Sequence, residues 1–282
     1  MKIKPLNNTD IIETVIAIKN SAKAYLVGGC VRDWYIGKNC FDIDITFSLH
    51  PKSIAEELAK KYSMKVEEFP QFMTLRLISK DLRVDLARFR KERYPYPASL
   101  PIVEAASSIE DDLSRRDFSV NAIAVSVNES NLFEITDPFG GIGDIEKGII
   151  KVLHTKSFID DPTRIFRAIR FSQRFGWKVE EKTFELLLDS IPYIKLLSKE
   201  RIRNEIIKIL SEKKCYSVLK EIIELKILQK EELFEFDQDI DLLSSVDDRF
   251  IYIAKKNGMS FFEGYAFNKK MRKKLEEKIK GW

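Results

Sequence analysis

One segment of the chain, residues 41–47, alternates strictly between apolar and polar side chains. Apolar residues stand at every second position, and Asp42, Asp44 and Thr46 fill the positions between them. A period of two is typical of a strand with one buried face, so Asp42 and Asp44 are expected to point to the same side of a sheet. Two carboxylates about 6.5 to 7 Å apart can converge on divalent cations. The alternative is that the two acids only form the solvated face of an amphipathic strand.

The rest of the hydrophobic pattern predicts a mixed α/β first half and a helical second half. Strand and helix signals alternate up to about residue 137, after which the apolar spacing is helical to the end of the sequence. The predicted helices are at 11–23, after Gly29 and at 51–62, together with a short acidic helix capped by Ser107 or Ser108. The predicted strands are at 24–27, 41–47 and 118–127, and residues 74–79 and 82–89 are predicted to form a hairpin. Residues 90–103 contain three prolines and are predicted to be a loop.

A glycine pair ends the first short strand. Gly28 and Gly29 stand between strand 24–27 and the next helix, where backbone N–H groups can cradle a triphosphate. Arg32 follows one turn later and can pair with phosphate oxygens. The alternatives are a plain tight turn for the glycines and an ion pair with Asp33 for Arg32.

The composition narrows the classes of protein. With 282 residues, 44% hydrophobic and 33% charged, the chain is expected to form about two globular domains. Three cysteines without CxxC spacing and only two histidines exclude a disulfide framework, a thiolate zinc site and a His-rich metal site. No apolar run reaches the roughly 18 residues of a membrane span, and residues 1–15 lack the apolar core of a signal peptide. We therefore expect a cytoplasmic protein without membrane contact.

Charge is distributed unevenly along the chain. Residues 1–137 hold 19 basic and 20 acidic side chains, whereas residues 138–282 hold 29 and 24. Within the second half, residues 231–248 have eight acids and no base, and residues 268–282 have seven bases and two acids. Basic stretches attract polyanions such as RNA through counterion release, although charge alone is also compatible with solvated helix faces.

Five segments, in order, resemble the class II tRNA nucleotidyltransferases and bacterial poly(A) polymerases of the polymerase β-like superfamily. The segments are LVGGCVRDWYIGKNCFDIDITF, RRDFSVNA, DPFGGIGD, DDPTRIFRAIRF and SKERI with Glu205, and they span about residues 24–210. The resemblance implies an α+β fold: a nucleotidyltransferase head of mixed sheet and helices (1–137), an all-helical, nucleotide-selecting neck (138–210) and a short helical RNA-binding body and tail (211–282). Because little chain follows the last motif, few contacts to the far end of tRNA are expected.

The resemblance also implies a reaction and a cofactor. An RNA 3′ hydroxyl attacks the α-phosphate of CTP or ATP, releases pyrophosphate, and uses Mg²⁺. Asp42 and Asp44 are then the metal ligands, with Asp85 on the neighbouring strand as a candidate third carboxylate.

The second motif supplies a further set of predicted nucleotide contacts, namely Arg115, Arg116, Asp117 and Asn121. A carboxylate and an amide can bond a ribose 2′ hydroxyl, which distinguishes a ribonucleotide from a deoxyribonucleotide. The alternative for the two arginines is an exposed basic end before a strand.

The predicted neck helix carries arginines at regular spacing. The four arginines are Arg164, Arg167, Arg170 and Arg174. In a helix they lie within an arc of about 120°, which predicts one apolar face and four guanidinium groups on the other face. The resemblance implies that Arg167 and Arg170 approach the nucleotide.

Asp161 precedes a proline at the start of this helix. On sequence alone it is equally an N-cap residue. The resemblance implies that Asp161 and Arg164 read the Watson–Crick edge of the incoming base.

The leading hypothesis is template-independent addition of CMP and AMP to the 3′ end of tRNA, as CCA addition or repair. Addition of A only and poly(A) synthesis stay open, whereas the resemblance implies that a loop such as 90–103 belongs to enzymes able to add the terminal A, which disfavours an enzyme that stops after CC. A small-molecule nucleotidyltransferase and a noncatalytic RNA-binding module are the alternatives of other classes. No DNA partner is expected, and the oligomeric state stays open.

Overall fold

The structure, a computed structural model, describes residues 1–228, 234–258, 272–273 and 276–278. The chain divides into two compact units, the first made of residues 1–95 and 100–153 and the second of residues 96–99 and those from 154 onward. Most of the basic stretch at 268–282, and the beginning of the acidic stretch at 231–248, lie outside the described residues. The predicted division into head, neck and body stays a prediction.

The first unit combines a sheet with short helices. Its helices are α1 (Thr9–Ile18), α2 (Gly29–Tyr35), α3 (Lys52–Tyr62), α4 (Ile109–Ser114) and α5 (Gly141–Lys147). Its strands are β1 (Ala24–Val27), β2 (Asp42–Phe47), β3 (Lys65–Phe69), β4 (Thr74–Ile78), β5 (Arg83–Arg88), β6 (Arg90–Arg93), β7 (Ile102–Ala105), β8 (Ala124–Ser126), β9 (Ile135–Thr136) and β10 (Ile149–Ile150).

Seven of these strands form one mixed sheet in the order β3-β4-β5-β2-β1-β8-β9. Strands β2 and β5 run parallel, and the other pairs are antiparallel. The predicted alternation is confirmed in part, because Ile43, Ile45 and Phe47 are at most 1% exposed whereas Asp42 is exposed and Asp44 is half-buried. It fails at both ends, where Phe41 precedes the strand and is 61% exposed and Thr46 is 1% exposed. The two aspartates therefore share the face of β2 opposite its fully buried side.

Two sequence predictions for the first unit are wrong in part. Residues 90–103 are not all loop, because β6 and β7 pair as an antiparallel ribbon and the three prolines fall in or beside its connection. Residues 118–127 are not all strand, because Ser119–Asn121 forms a 3₁₀ turn and only Ala124–Ser126 pairs in the sheet. The Asp117 carboxylate closes this turn by accepting hydrogen bonds from Phe118 N and Asn121 Nδ2.

The second unit is helical, as predicted. Its helices are α6 (Ser157–Asp160), α7 (Thr163–Phe175), α8 (Glu181–Ser190), α9 (Lys199–Leu210), α10 (Cys215–Glu224) and α11 (Val246–Asn257), with a two-residue strand β11 (Lys178–Val179). The Ser198 hydroxyl caps α9 by accepting from Arg201 N at 3.3 Å. Within the described ranges, every helix is too short or too polar to cross a membrane.

Helix α5 fixes the 3₁₀ turn of the first unit. Both oxygens of Asp137 accept backbone N–H groups at the start of α5, from Gly141 at 2.7 Å and from Ile142 at 2.9 Å. Ser119 in the turn donates to Asp144 Oδ2 at 2.6 Å. Gly141 packs so tightly that a Cβ atom there would lie 2.1 Å from Ser119 O. The segment DPFGGIGD therefore holds the segment RRDFSVNA in place.

We predict that Gly141→Ala lowers the free energy of unfolding by about 3 kcal/mol or more, because the added methyl group meets a backbone oxygen that has no side-chain freedom to move. The matched control is Gly143→Ala in the same helix, where a Cβ atom would meet nothing within 4 Å. Alanine there should stabilise the helix by about 0.5 to 1 kcal/mol. Thermal unfolding of both variants measures the difference, and equal melting temperatures would contradict the packing role of Gly141.

Candidate functional site

Three carboxylates share one face of two adjacent strands. In the parallel pair of β2 and β5, Asp44 lies opposite Asp85 and Asp42 lies opposite Arg83. Burial raises the pKa of Asp44 to about 6, with Asp85 and Asp42 acting in the same direction and with Arg116 and Arg83 opposing. The sheet thus concentrates negative charge at Asp44 that its cationic neighbours only partly offset.

The three carboxylates differ in their arginine partners. Asp85 accepts two hydrogen bonds from Arg76, from Nε to Oδ1 at 2.8 Å and from Nη2 to Oδ2 at 2.9 Å. Asp42, whose side chain is 62% exposed, has one contact with Arg83 Nη2 at 3.2 Å. The candidate third carboxylate, Asp85, is therefore already held in a bidentate ion pair, whereas Asp42 and Asp44 are not.

The Gly28 turn lies directly against this carboxylate face. Gly28 has φ +77° and ψ −139°, a conformation that favours glycine. A Cβ atom at Gly28 would lie 2.9 Å from Arg116 Nη1 and 3.3 Å from Asp44 Oδ2. The bare backbone of the turn, a guanidinium group and a carboxylate therefore meet at one point, and the guanidinium group there is that of Arg116.

Arg32 joins the first motif to the second. Its side chain is almost fully buried, and its Nη1 donates to Asn121 Oδ1. Its Nε and Nη2 donate to Asp33 Oδ1 at 2.9 and 2.8 Å, so the predicted alternative of an ion pair with Asp33 is present. Asn121 in turn donates to Asp117 Oδ1 at 3.0 Å. Three predicted nucleotide-binding residues thus form one hydrogen-bonded chain, with Arg32 orienting the Asn121 amide.

A fully buried carboxylate, Asp112, holds the arginine pair of the second motif. Its Oδ2 accepts from Arg116 Nη2 at 2.9 Å, and its Oδ1 accepts from Arg115 Nη2 at 3.0 Å and from Arg90 N at 3.2 Å. Arg115 also donates to Glu92 Oε1 at 3.0 Å. Burial alone would raise the pKa of Asp112, but Arg115 and Arg116 outweigh it and hold the pKa at about 2. The two arginines are therefore fixed rather than exposed.

In the second unit, Asp161 has the hydrogen bond that its N-cap interpretation predicts. Its Oδ1 accepts from Thr163 N at 3.1 Å and from Thr163 Oγ1 at 2.6 Å. The same oxygen accepts from Arg201 Nη2 at 2.7 Å. Arg164 is 5% exposed and donates to Ser157 Oγ at 2.6 Å. Asp161 and Arg164 are thus held by different partners at the start of α7.

The prediction that α7 presents four guanidinium groups opposite its apolar face is wrong. Arg164 and Arg170 are 5% and 6% exposed, and both Arg170 and Arg174 donate to Glu212. Phe171, seven residues after Arg164, lies in the same arc and is buried. Its ring is 5.2 Å from Arg167 Cζ and 4.7 Å from Arg170 Cζ. The arginine face is therefore packed around a phenyl ring.

Comparisons with known proteins give two family matches. Residues 24–151 match the poly A polymerase head domain, and residues 176–233 match the family described as a probable RNA and SrmB-binding site of polymerase A. The A-adding tRNA nucleotidyltransferase of Aquifex aeolicus is 40% identical over 224 residues, which are 74% of this chain and 27% of that protein. The chain belongs to the tRNA nucleotidyltransferase and poly(A) polymerase family.

Other relatives have related names. The CC-adding tRNA nucleotidyltransferase of Halalkalibacterium halodurans is 31% identical over 71% of this chain and 49% of that protein. A solved complex of a CCA-adding enzyme with ATP has a TM-score of 0.74 and 28% identity, and the match covers 97% of this chain and 70% of that one. The polymerase β-like α+β fold is thereby confirmed. The chain spans between about a fifth and a half of the length of the curated relatives that it matches.

Several residues of the site escaped the sequence reasoning. Asp112 stands in an acidic run that reads as an ordinary helix start, and Glu212 has no local motif. Arg201 lies in a family motif, SKERI, but its spacing gives no indication of a partner 40 residues away. In each case the missing information is a contact between distant segments, which periodicity does not encode.

We predict that Asp112→Asn lowers the free energy of unfolding at pH 7 by about 3 kcal/mol, because two buried arginines lose their charged partner. The folded-state pKa of Asp112, about 2, lies below the ordinary value of 3.8, so its contribution is present above about pH 4 and is lost as the pH falls towards 2. The stability gap between wild type and variant should therefore narrow by about 2 kcal/mol over that interval.

Denaturant titrations between pH 2 and pH 7 measure this gap. The matched control is Asp111→Asn, the preceding residue in α4, whose carboxylate is more exposed and pairs with Lys91 at 3.1 Å. It should cost less than about 1 kcal/mol. A gap for Asp112→Asn that is small, or constant with pH, would contradict the ionic role of Asp112.

Proposed function

We propose that this chain is a template-independent RNA nucleotidyltransferase that transfers CMP or AMP from CTP or ATP to the 3′ end of tRNA and releases pyrophosphate. The observation that carries the proposal is the meeting of Asp44, Arg116 and the Gly28 turn at one point of the sheet. An oxygen-ligand site for a cation, a fixed guanidinium group and a turn without side chains are what a nucleoside triphosphate and its metal ion require.

The residues present fit Mg²⁺. This ion is bound by one or two carboxylates together with substrate phosphates rather than by a complete protein cage. Asp42 and Asp44 supply two carboxylates on one strand face, and in the part of the chain that the structure describes no group of three His, Cys, Asp or Glu side chains is arranged to hold a metal by itself. When bound, the ion would lower the pKa of the attacking hydroxyl and neutralise charge on the phosphates.

The chain's own residues have separate roles in this proposal. The Gly28–Gly29 turn lets the triphosphate approach the backbone, and Arg116 offsets its charge from a position fixed by Asp112. Asp117 and Asn121 bond the ribose 2′ hydroxyl, in an orientation that Arg32 and the 3₁₀ turn maintain. Asp85 keeps Arg76 beside the carboxylate face and serves as a positioning residue.

Asp161 is proposed to read the base. Its Oδ1 accepts three hydrogen bonds, and no donor from the described residues reaches its Oδ2. A lone carboxylate oxygen favours a base with an exocyclic amino group. Cytosine carries an amino group at N4 and adenine carries one at N6. At the corresponding positions guanine has the acceptor O6, and uracil, like thymine, has the acceptor O4. This single acceptor therefore selects the two bases of a CCA end. Arg164 is the proposed donor for the remaining base edge, with Arg167 and Arg170 beside it on α7.

A second candidate activity is addition of the terminal A only. It is favoured by the Aquifex aeolicus relative, which is named A-adding and is 40% identical. The two activities separate when tRNA transcripts ending at the discriminator base, at C and at CC are incubated with each nucleoside triphosphate. A full CCA-adding enzyme extends all three transcripts, whereas an A-adding enzyme extends only the transcript ending in CC.

We predict that Asp42→Asn and Asp44→Asn each reduce Mg²⁺-dependent nucleotide incorporation by more than about a hundredfold, because a bound metal ion supplies several kcal/mol of charge stabilisation in the transition state. The melting temperature should change little. Asp81→Asn is the matched control, since Asp81 is exposed in the turn between β4 and β5. Near-normal turnover of either variant would refute the metal assignment.

We predict that Asp161→Ala reduces the preference for CTP and ATP over UTP and GTP by about 10- to 100-fold, which corresponds to the loss of a base-edge contact of about 1 to 3 kcal/mol. Asp161→Ser separates this role from helix capping, because serine keeps the N-cap hydrogen bond but not the carboxylate. Steady-state kcat/KM with each of the four nucleotides measures the preference. If the serine variant selects nucleotides like wild type, Asp161 is only an N-cap residue.

A further inference from the structure

We infer that Arg201 is a positioning residue for nucleotide selection, because it fixes which oxygen of Asp161 is presented to the base. This inference rests on the proposed function of Asp161. Arg201 lies on α9, in the first turn after the cap residue Ser198, and its Nη2 donates to Asp161 Oδ1 at 2.7 Å. The ion pair joins two helix starts that are 40 residues apart in sequence.

The other arm of the same guanidinium group is also held. Arg201 Nη1 donates to the backbone oxygen of Ala98 at 2.7 Å. Ala98 has φ +59°, which is uncommon for a residue with a Cβ atom, and its own N–H donates to Ile159 O at 3.1 Å. The oxygen that Arg201 contacts therefore belongs to a segment that is itself anchored. A planar guanidinium group held at two ends has a fixed orientation, which a lysine ammonium group does not have.

Helix capping does not require this ion pair. Thr163 N and Thr163 Oγ1 already donate to Asp161 Oδ1, which is the usual arrangement at a helix start. A third donor on the same oxygen adds a different constraint, because it restricts rotation of the carboxylate and leaves Oδ2 as the oxygen without a donor from the described residues. The Asp161 and Arg201 side chains are 22% and 23% exposed, so the ion pair is partly shielded from water and is screened less than a fully exposed pair.

Without Arg201 the carboxylate would keep two donors from Thr163 but would lose its ionic partner and the restriction on its rotation. The helix start should persist, whereas the acceptor should no longer occupy one fixed position. Selection between bases should then weaken more than catalysis with CTP or ATP. This separation distinguishes a positioning residue from a residue that only supports the fold.

The test compares Arg201→Ala, Arg201→Lys and Asp161→Ala, with Lys220→Ala as a control of equal charge change. Lys220 lies on α10, is exposed and pairs with Glu224 at 3.7 Å. For each protein, kcat/KM is measured with all four nucleoside triphosphates on a tRNA transcript, together with the melting temperature. We expect Arg201→Ala to lose about 5- to 50-fold of the preference for CTP and ATP over UTP and GTP, Arg201→Lys to lose less, and Lys220→Ala to select like wild type.

A double variant makes the outcome specific. If Arg201 acts through Asp161, Arg201→Ala should cause no further loss of preference when Asp161 is already alanine. Unchanged preference in both Arg201 variants, or an equal loss in the presence and absence of Asp161, would overturn the inference. If Asp161→Ala itself leaves the preference unchanged, the proposed function of Asp161 fails instead. Should Arg201→Ala not fold, the comparison of Arg201→Lys with the double variant Asp161→Ala/Arg201→Lys decides the question.

Discussion

The carboxylate of Asp112 lies wholly inside the first unit, where an unpaired charge would cost several kcal/mol. It is tolerated because Arg115 and Arg116 donate to it and because the backbone of Arg90 supplies a further hydrogen bond. This constraint works in both directions, since the two arginines would otherwise be buried cations without a counter-ion. The consequence for the site is that the Arg116 guanidinium group is held in a fixed position beside the Gly28 turn. Much of the sheet unit's electrostatic arrangement depends on this one pair of interactions.

The same arrangement recurs at other charged residues of the protein. Asp85 is held by Arg76, Asp161 by Arg201, and Arg170 by Glu212. Asp161, Arg170 and Arg201 lie in the segments that resemble the family, whereas Asp85, Arg76 and Glu212 lie outside them. Charged groups that must act on a substrate lose their geometry if they are free to move, and partly buried ion pairs restrict them. The family segments therefore name only some of the charged residues that fix the site.

The sequence predicted local features well where the cause is local. The alternation in residues 42–45, the glycine turn and the Ser108 cap were correct, because each follows from periodicity or from a single side chain. Strand β3 (Lys65–Phe69) was missed because it lies at the sheet edge, and edge strands do not need a regular apolar face.

Predictions that depended on a neighbouring segment failed. The register that places Asp85 opposite Asp44 follows from the parallel pairing of β2 and β5, which no local pattern encodes. The arginine face of α7 was predicted to be open because all four arginines are polar. Phe171 lies among them and is buried, and Glu212 supplies the counter-charge that allows Arg170 to be buried as well. Helical spacing gives the direction of a side chain but not what it meets there.

Asp44 differs from the other charged residues of the sheet, because among the described residues no ion pair is formed by its carboxylate, and this contrast is informative. Asp44 is partly buried beside two other carboxylates, and burial raises its pKa to about 6. At Asp112, by contrast, the neighbouring arginines lower the pKa to about 2. A fold selected only for stability would replace such a residue or provide it with a close cationic partner. Arg116 and Arg83 offset the charge of Asp44 only in part, which leaves a position where a bound cation would relieve repulsion. The strand face that holds Asp42 and Asp44 would therefore be stabilised by a metal ion, which would in turn attract the phosphates of a nucleotide.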